Sequence, residues 1–177
     1  MPNTKSIGVA FSDPELVAGT TITGAAITGA VIDSTSKIAS NIASGFSEMQ
    51  QGATIATTGN SDVYIVADAA GVLTGARFSG TDALAASDTN YITFSITNLG
   101  TSGSGSTAML AATDANTTKT TGGTALTANA ARSLTLNGTA ANLVVAAGDR
   151  LRIRAAATGT LANTVTFPVY NLIFSVA

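Results

Sequence analysis

Three arginines alternate along one predicted strand near the end of the chain. Arg150, Arg152 and Arg154 are separated by Leu151 and Ile153. Because successive side chains of a strand point to opposite faces of a sheet, the three guanidinium groups share one face and the two apolar side chains point to the core. Guanidinium groups pair with carboxylates. We expect this face either to be solvated beside nearby carboxylates or to contact an acidic partner or a neighbouring subunit.

Three aspartates in loop-like segments, Asp82, Asp88 and Asp114, have the chemistry to ligate calcium. Calcium-binding loops are dense in alternating carboxylates, and none of the three belongs to an Asp-x-Asp pattern. The pattern therefore favours solvated loop carboxylates, and we expect no bound metal.

Gly100 and Gly105, followed by Ser106 and Thr107, reproduce the spacing of a phosphate-binding loop. Ser106 occupies the position where such a loop needs a lysine to neutralise the phosphate. The segment is therefore predicted to be a flexible hairpin loop, and no cofactor is expected.

The composition removes most catalytic chemistry. The chain has no histidine and no cysteine, so the usual general base at neutral pH and the thiolate nucleophile are both missing. A serine nucleophile would also need an activating base. We expect a protein that is not an enzyme.

Charge and hydropathy limit the partners. Charged residues make up only 10% of the 177 residues, and the formal net charge is -2. Nucleic-acid binders carry a basic excess, and the arginine strand has no aromatic side chains interleaved for base stacking, so no nucleic acid is expected. No apolar run reaches the roughly 18 residues of a membrane helix, and no signal-like start is present. We expect a protein that is made in the cytosol and does not enter a membrane.

A five-residue unit with glycine first occurs three times between residues 19 and 33, which places Ile22, Ile27 and Ile32 in register. A period of five fits neither a helix nor an ordinary strand and indicates a wrapped β path. Three units leave their stacking faces open, so other copies of the chain are expected to cover them. We predict a homotrimer with the three isoleucines along its axis.

The segment before the repeat is predicted to be an extended arm that pairs with another surface, with Ile7, Val9 and Phe11 as its apolar contacts. After the repeat, four apolar residues have helical spacing, which predicts a short helix or, alternatively, a loop. They are Ile38, Ile42, Phe46 and Met49. These features define an N-terminal part at residues 1–52.

Residues 53–177 show short β segments separated by turn clusters, which is typical of an antiparallel jelly-roll-like β-sandwich. The predicted strands cover residues 53–58, 62–69, 71–78, 91–98, 106–113, 132–137, 141–146, 150–157 and 164–176. The aromatic side chains scattered through them are expected to fill the core rather than to form a sugar-binding shelf. They are Tyr64, Phe78, Tyr91, Phe94, Phe167, Tyr170 and Phe174.

The pentads after a short arm, together with the runs at 143–153 and 170–174, resemble the head decoration (cement) and head-fibre proteins of tailed bacteriophages. The resemblance implies a homotrimer whose arms grip the major capsid protein while the sandwiches project outward. On this view the chain is a structural virion protein on the outer capsid surface, and Arg150, Arg152 and Arg154 face an acidic capsid or a neighbouring subunit. The alternative is a fibre or spike tip that binds a host-surface glycan.

Overall fold

The structure of the chain is a computed structural model, and it describes residues 45–176. The strands in this range are β1 Gly45–Gln51, β2 Asn60–Val66, β3 Gly71–Ser79, β4 Tyr91–Asn98, β5 Thr107–Ala108, β6 Arg132–Ser133, β7 Val144–Val145, β8 Arg150–Thr158 and β9 Val169–Val176. Two short 3-10 helices cover Asp114–Asn116 and Ala140–Leu143. Within this range, none of the helices has the length and hydropathy to cross a bilayer. The arm residues Ile7, Val9 and Phe11 and the repeat residues Ile22, Ile27 and Ile32 lie outside the described residues.

The strands form two antiparallel sheets. Sheet 1 has the order β1-β9-β3-β6, with β7 also paired to β3, and sheet 2 has the order β2-β8-β4-β5. Every paired ladder is antiparallel. The prediction of an all-β chain with antiparallel sheets is therefore confirmed.

The core forms because apolar residues alternate along the long strands. In β4, Ile92, Phe94 and Ile96 are buried, and in β8 Leu151 and Ile153 are buried. The residues between them point to the other face of sheet 2, as the pleat of a strand requires. The turn before β8 contains Gly148, whose φ of 85° is a conformation that glycine adopts readily.

Aromatic rings join the two sheets across this core. The ring centroid of Phe78 in β3 lies 4.6 Å from that of Phe94 in β4 and 5.3 Å from that of Tyr170 in β9. Phe46 in β1 stacks on Phe174 in β9 at 4.8 Å. Sheets 1 and 2 therefore pack on one shared core.

The helix predicted from Ile38 to Met49 is wrong where the structure describes it, because Phe46 and Met49 lie in strand β1. Pairing with β9 in continuous register stabilises residues 45–51 as a strand, whereas an isolated short helix is only marginally stable in water. Sheet 1 therefore includes residues 45–51, which precede the first predicted strand at residues 53–58.

The predicted strands near residues 53–58, 106–113, 132–137 and 141–146 are shorter in the structure or reduced to single bridges. Ile55 forms an isolated bridge with Val165, and Leu110 forms one with Leu136. These segments follow irregular paths because side chains take over backbone hydrogen bonding. The Nδ2 of buried Asn116 donates to the carbonyls of Ala111 and Thr135 at 2.8 Å, and its Oδ1 accepts from the Thr135 amide at 2.7 Å.

Candidate functional site: the arginine face

The outer face of sheet 2 brings together the residues that we call the arginine face: Asp62, Tyr64, Arg150, Arg152 and Arg154. Strand β8 lies between β2 and β4, and register places Asp62 opposite Arg154 and Tyr64 opposite Arg152. Directly opposed side chains on one face of an antiparallel pair contact each other. The structure thus confirms that the three arginines share one face, and it supplies two neighbours from β2.

Arg154 is held by a paired salt bridge. Its Nε and Nη2 donate to the two carboxylate oxygens of Asp62, each at 2.6 Å. These hydrogen bonds hold the pKa of the Asp62 carboxyl below its usual value, against the opposing effect of burial, and the charges of Arg154 and Arg152 act in the same direction. Hydrogen bonding to Asp62 also raises the pKa of Arg154. A paired guanidinium–carboxylate contact fixes both side chains in one orientation.

Arg150 is held by an aromatic ring. Its guanidinium carbon lies 4.2 Å from the ring centroid of Tyr64, which is the distance of a cation–π contact. Tyr64 is 45% exposed, so the prediction that it fills the core is wrong. In β2 the odd-numbered residues Val63 and Ile65 point inward, and this leaves the Tyr64 ring on the outer face.

Arg152 lies between these two pairs, and its surroundings differ from those of Arg150 and Arg154. Its Nε is buried and has no hydrogen-bond partner among the described residues. It faces Tyr64 on one side and Thr97 of β4 on the other. A buried donor without an acceptor is unfavourable by roughly 1–3 kcal/mol. Arg152 therefore lacks the internal carboxylate that holds Arg154.

The net charge of the arginine face is positive, since it contains three arginines and a single carboxylate, that of Asp62. The other cationic side chains of residues 45–176 are Arg77, Lys119 and Arg132. Lys119 is paired with Asp114 at 2.8 Å, and Arg132 donates to the carbonyls of Thr124, Ala115 and Thr117. The arginine face is thus where positive charge is concentrated in the described part of the chain.

A groove of about 330 Å³ lies beside the arginine face, along the free side of β4. It opens because the chain pairs with β4 at Ala108 and again at Thr117, and leaves the strand between these two points. Its polar lining includes Tyr91, Thr93, Ser95, Thr97, Asp114 and Lys119. Lys119 lies over the Tyr91 ring at 4.9 Å, so Tyr91 contributes to the groove wall rather than to the core.

The three aspartates weighed as calcium ligands are not brought together. Asp82 accepts hydrogen bonds from Thr166, Asp88 accepts from Thr121 at 2.9 and 3.0 Å, and Asp114 pairs with Lys119. Within residues 45–176, no cluster of three or more metal-ligating His, Cys, Asp or Glu side chains is present. The Gly100–Gly105 segment is a loop as predicted, and its Gly103 and Gly105 amides donate to the carbonyls of Gly100 and Leu99.

Sequence reasoning missed Asp62 and Tyr64 as members of the site. Both alternate with apolar residues in a predicted strand, so their shared face could have been found. What the sequence does not contain is the pairing of β2 with β8, which lie about 90 residues apart. Comparison of the chain with protein-family models, with curated proteins and with solved structures gave no match.

Proposed function

We propose that this chain is a structural, non-enzymatic protein of a phage particle that binds the outside of the capsid and reinforces or decorates it. The observation that carries the proposal is the arginine face, in which three arginines share one face of sheet 2 with a single carboxylate, that of Asp62. An acidic surface on the major capsid protein would pair with the positive charge that Asp62 leaves over, including that of the exposed Arg150. The resemblance of the repeat and C-terminal runs to decoration and head-fibre proteins gives the phage context.

The shape of the site favours a protein surface as the partner. The five side chains project from two paired strands, so they form a broad face rather than an enclosed pocket. The Asp62 and Tyr64 contacts fix Arg154 and Arg150 before binding, which lowers the entropy lost on docking. Charged faces of this kind set the orientation and the rate of association between proteins.

The proposal also covers an arm and a trimer axis, whose residues lie outside the described range, and the arrangement of the sandwich. Ile7, Val9 and Phe11 form the apolar contacts of a capsid-binding arm, and Ile22, Ile27 and Ile32 line the axis of a homotrimer. The sandwich adopts a jelly-roll-like arrangement and projects outward. Binding in this way adds stability to an assembled shell by mass action.

Electron microscopy of particles whose genome encodes this chain tests the proposal. An antibody raised against the recombinant protein and coupled to gold should label the whole capsid surface in many copies, because a decoration protein follows the capsid symmetry. Labelling confined to the tail or fibre tips would contradict the capsid role. Unlabelled particles would contradict any role in the virion.

A fibre or spike tip that binds a host-surface glycan is the second candidate, and the groove beside β4 favours it. Hydroxyl groups of Thr93, Ser95 and Thr97 line the groove next to the Tyr91 ring, and sugars are bound by this combination of hydroxyl and aromatic groups. Titration with oligosaccharides from the host envelope, followed by NMR, tests it. Shifts confined to residues 91–97 and 108–119 would support glycan binding, and unchanged spectra at millimolar sugar would exclude it.

A further inference from the structure

Phe167 combines two unfavourable features in one residue. Its side chain is 63% exposed, and its backbone has a positive φ of 46°. Among the other described residues with positive φ, six are glycines and one is Asn129. Glycine and asparagine adopt this conformation readily, whereas a bulky side chain there is strained. The prediction that Phe167 fills the core is therefore wrong.

A glycine at this position would make the same turn without strain. Phe167 also precedes Pro168, and the residue before a proline favours an extended backbone. A strained residue persists when its surroundings fix it, and such residues concentrate at binding sites. The exposed ring thus indicates a contact that compensates both the strain and the exposure.

The residues around Phe167 are held firmly. Asp82 Oδ2 accepts from the Thr166 amide at 2.7 Å and from its hydroxyl at 2.5 Å, and the Thr81 amide donates to the Thr166 carbonyl at 3.1 Å. These bonds from Thr166 hold the pKa of the Asp82 carboxyl below its usual value. On the other side, the carbonyl of buried Pro168 accepts from the Gly52 amide at 2.8 Å. We call residues 166–168 the Phe167 turn.

A small open pocket of about 150 Å³ lies next to this turn. Apolar groups of Phe78, Leu126 and Ala130 line it together with the polar side chains of Thr124, Thr127 and Arg132, and Gly80 forms part of its wall. The pocket is preformed, because the Asn129 amide donates to the Gly80 carbonyl and Arg132 Nη1 donates to the Thr124 carbonyl.

The pocket and the ring are neighbours on the surface. Gly80 lines the pocket and precedes Thr81, whose amide binds the residue before Phe167. Phe167 does not line the pocket of its own chain. Two copies related by a two-fold axis present the same patch to each other, so an anchor beside its own complementary pocket suits a symmetric pair.

We propose that the Phe167 turn is a self-association site, in which the Phe167 ring of one copy enters the pocket at Gly80 and Ala130 of a second copy, and the reverse. The ring would be an aromatic anchor of the kind that dominates interface affinity. This association is separate from the arginine face and from the predicted trimer axis. It pairs single chains if the chain is otherwise monomeric, and pairs trimers if the repeat makes trimers.

Sedimentation velocity of the full chain with Phe167→Gly tests the proposal. The variant should halve the mass of the assembly at micromolar concentration, or weaken association by about tenfold or more, since hot-spot truncations have effects of that size. Its melting temperature, measured on the dissociated chain, should stay equal or rise, because glycine relieves the strain. Met49→Ala removes an equally exposed apolar side chain from regular strand β1 and should leave the mass unchanged.

A pocket variant keeps the test decisive if Phe167→Gly does not fold. Ala130→Glu places a charge at the exposed pocket wall and should also halve the mass, whereas Ala69→Glu in the exposed β2–β3 loop should not. A photoreactive phenylalanine analogue at position 167 should cross-link to residues 124–132 of a second copy. A full-length chain that is unaffected by both variants, or whose cross-links fall elsewhere, would overturn the proposal.

Discussion

The arginine face and the Phe167 turn both present binding groups to solvent, but they are built in opposite ways. On the arginine face, regular strands position the guanidinium groups, and Asp62 and Tyr64 of the same chain stabilise two of the three. At the Phe167 turn the backbone is irregular and strained, and the pocket of another copy is the proposed partner of the exposed ring. Contacts within the chain hold the guanidinium groups of Arg150 and Arg154, whereas at the turn they hold the backbone and leave the ring exposed.

Both surfaces depend on the core between the sheets, so a core truncation should have the largest effect. Phe94 is buried, contacts the Phe78 ring and lies under the Arg132 guanidinium at 5.4 Å. Phe94→Ala should lower the free energy of unfolding by about 3–5 kcal/mol, which urea denaturation would measure. Phe167→Ala, at an exposed ring of the same type, should change it far less. Equal losses from the two variants would show that Phe167 is part of the core.

Removal of the carboxylate from the arginine face should have an intermediate, pH-dependent effect. Asp62→Asn loses the charged pair with Arg154 and should lower the free energy of unfolding by about 1–2 kcal/mol at pH 7. Because the folded pKa of Asp62 lies below its unfolded value of 3.8, the stabilisation is complete well above pH 4 and disappears as pH falls through the folded pKa.

Urea denaturation of Asp62→Asn at several pH values checks this dependence. The difference from the parent chain should shrink toward zero as the pH falls through the folded pKa of Asp62, because the carboxyl is then protonated in both states. Asp68→Asn, in the exposed loop after β2, serves as the control and should show a much smaller effect. A pH-independent loss in Asp62→Asn would contradict the ion pair as its cause.

Removal of the aromatic contact on the arginine face should lower the free energy of unfolding least. Tyr64→Leu keeps an apolar side chain but removes the ring under Arg150, with an expected loss of about 0.5–1 kcal/mol. Thermal unfolding of Tyr64→Leu and of the parent chain, with and without 0.5 M salt, would measure this loss of stability. A loss as large as that of Asp62→Asn would show that Tyr64 packs against more than Arg150.

The sequence predicts the strands that carry the arginine face because their periodicity is local. Alternation in residues 91–96 and 150–154 identifies β4 and β8 and the side chains that share each face. The same periodicity cannot show that β2 pairs with β8, since that pairing depends on the fold of the whole sandwich. The sequence therefore indicates that Asp62 points outward, but it does not indicate that Asp62 pairs with Arg154.

The Phe167 turn could not be predicted from local pattern. Its backbone is fixed by Asp82 and Thr81, which lie 84 and 85 residues earlier in the chain. An aromatic residue in a β-rich segment is normally part of the core, as Phe174 and Tyr170 are here. The helix predicted from the spacing of Phe46 and Met49 is wrong for a related reason. Pairing with β9 outweighs the weak local preference of this segment for a helix.

Co-sedimentation of the chain with capsids assembled without it tests the central claim, that the arginine face contacts an acidic shell. Arg152→Gln should weaken binding by about tenfold or more while circular dichroism stays unchanged, because it removes one of the positive charges on this face that Asp62 does not neutralise. Arg77→Gln, at an exposed arginine on sheet 1, should bind as the parent chain does. Undiminished binding of Arg152→Gln, or equal losses in both variants, would contradict the account.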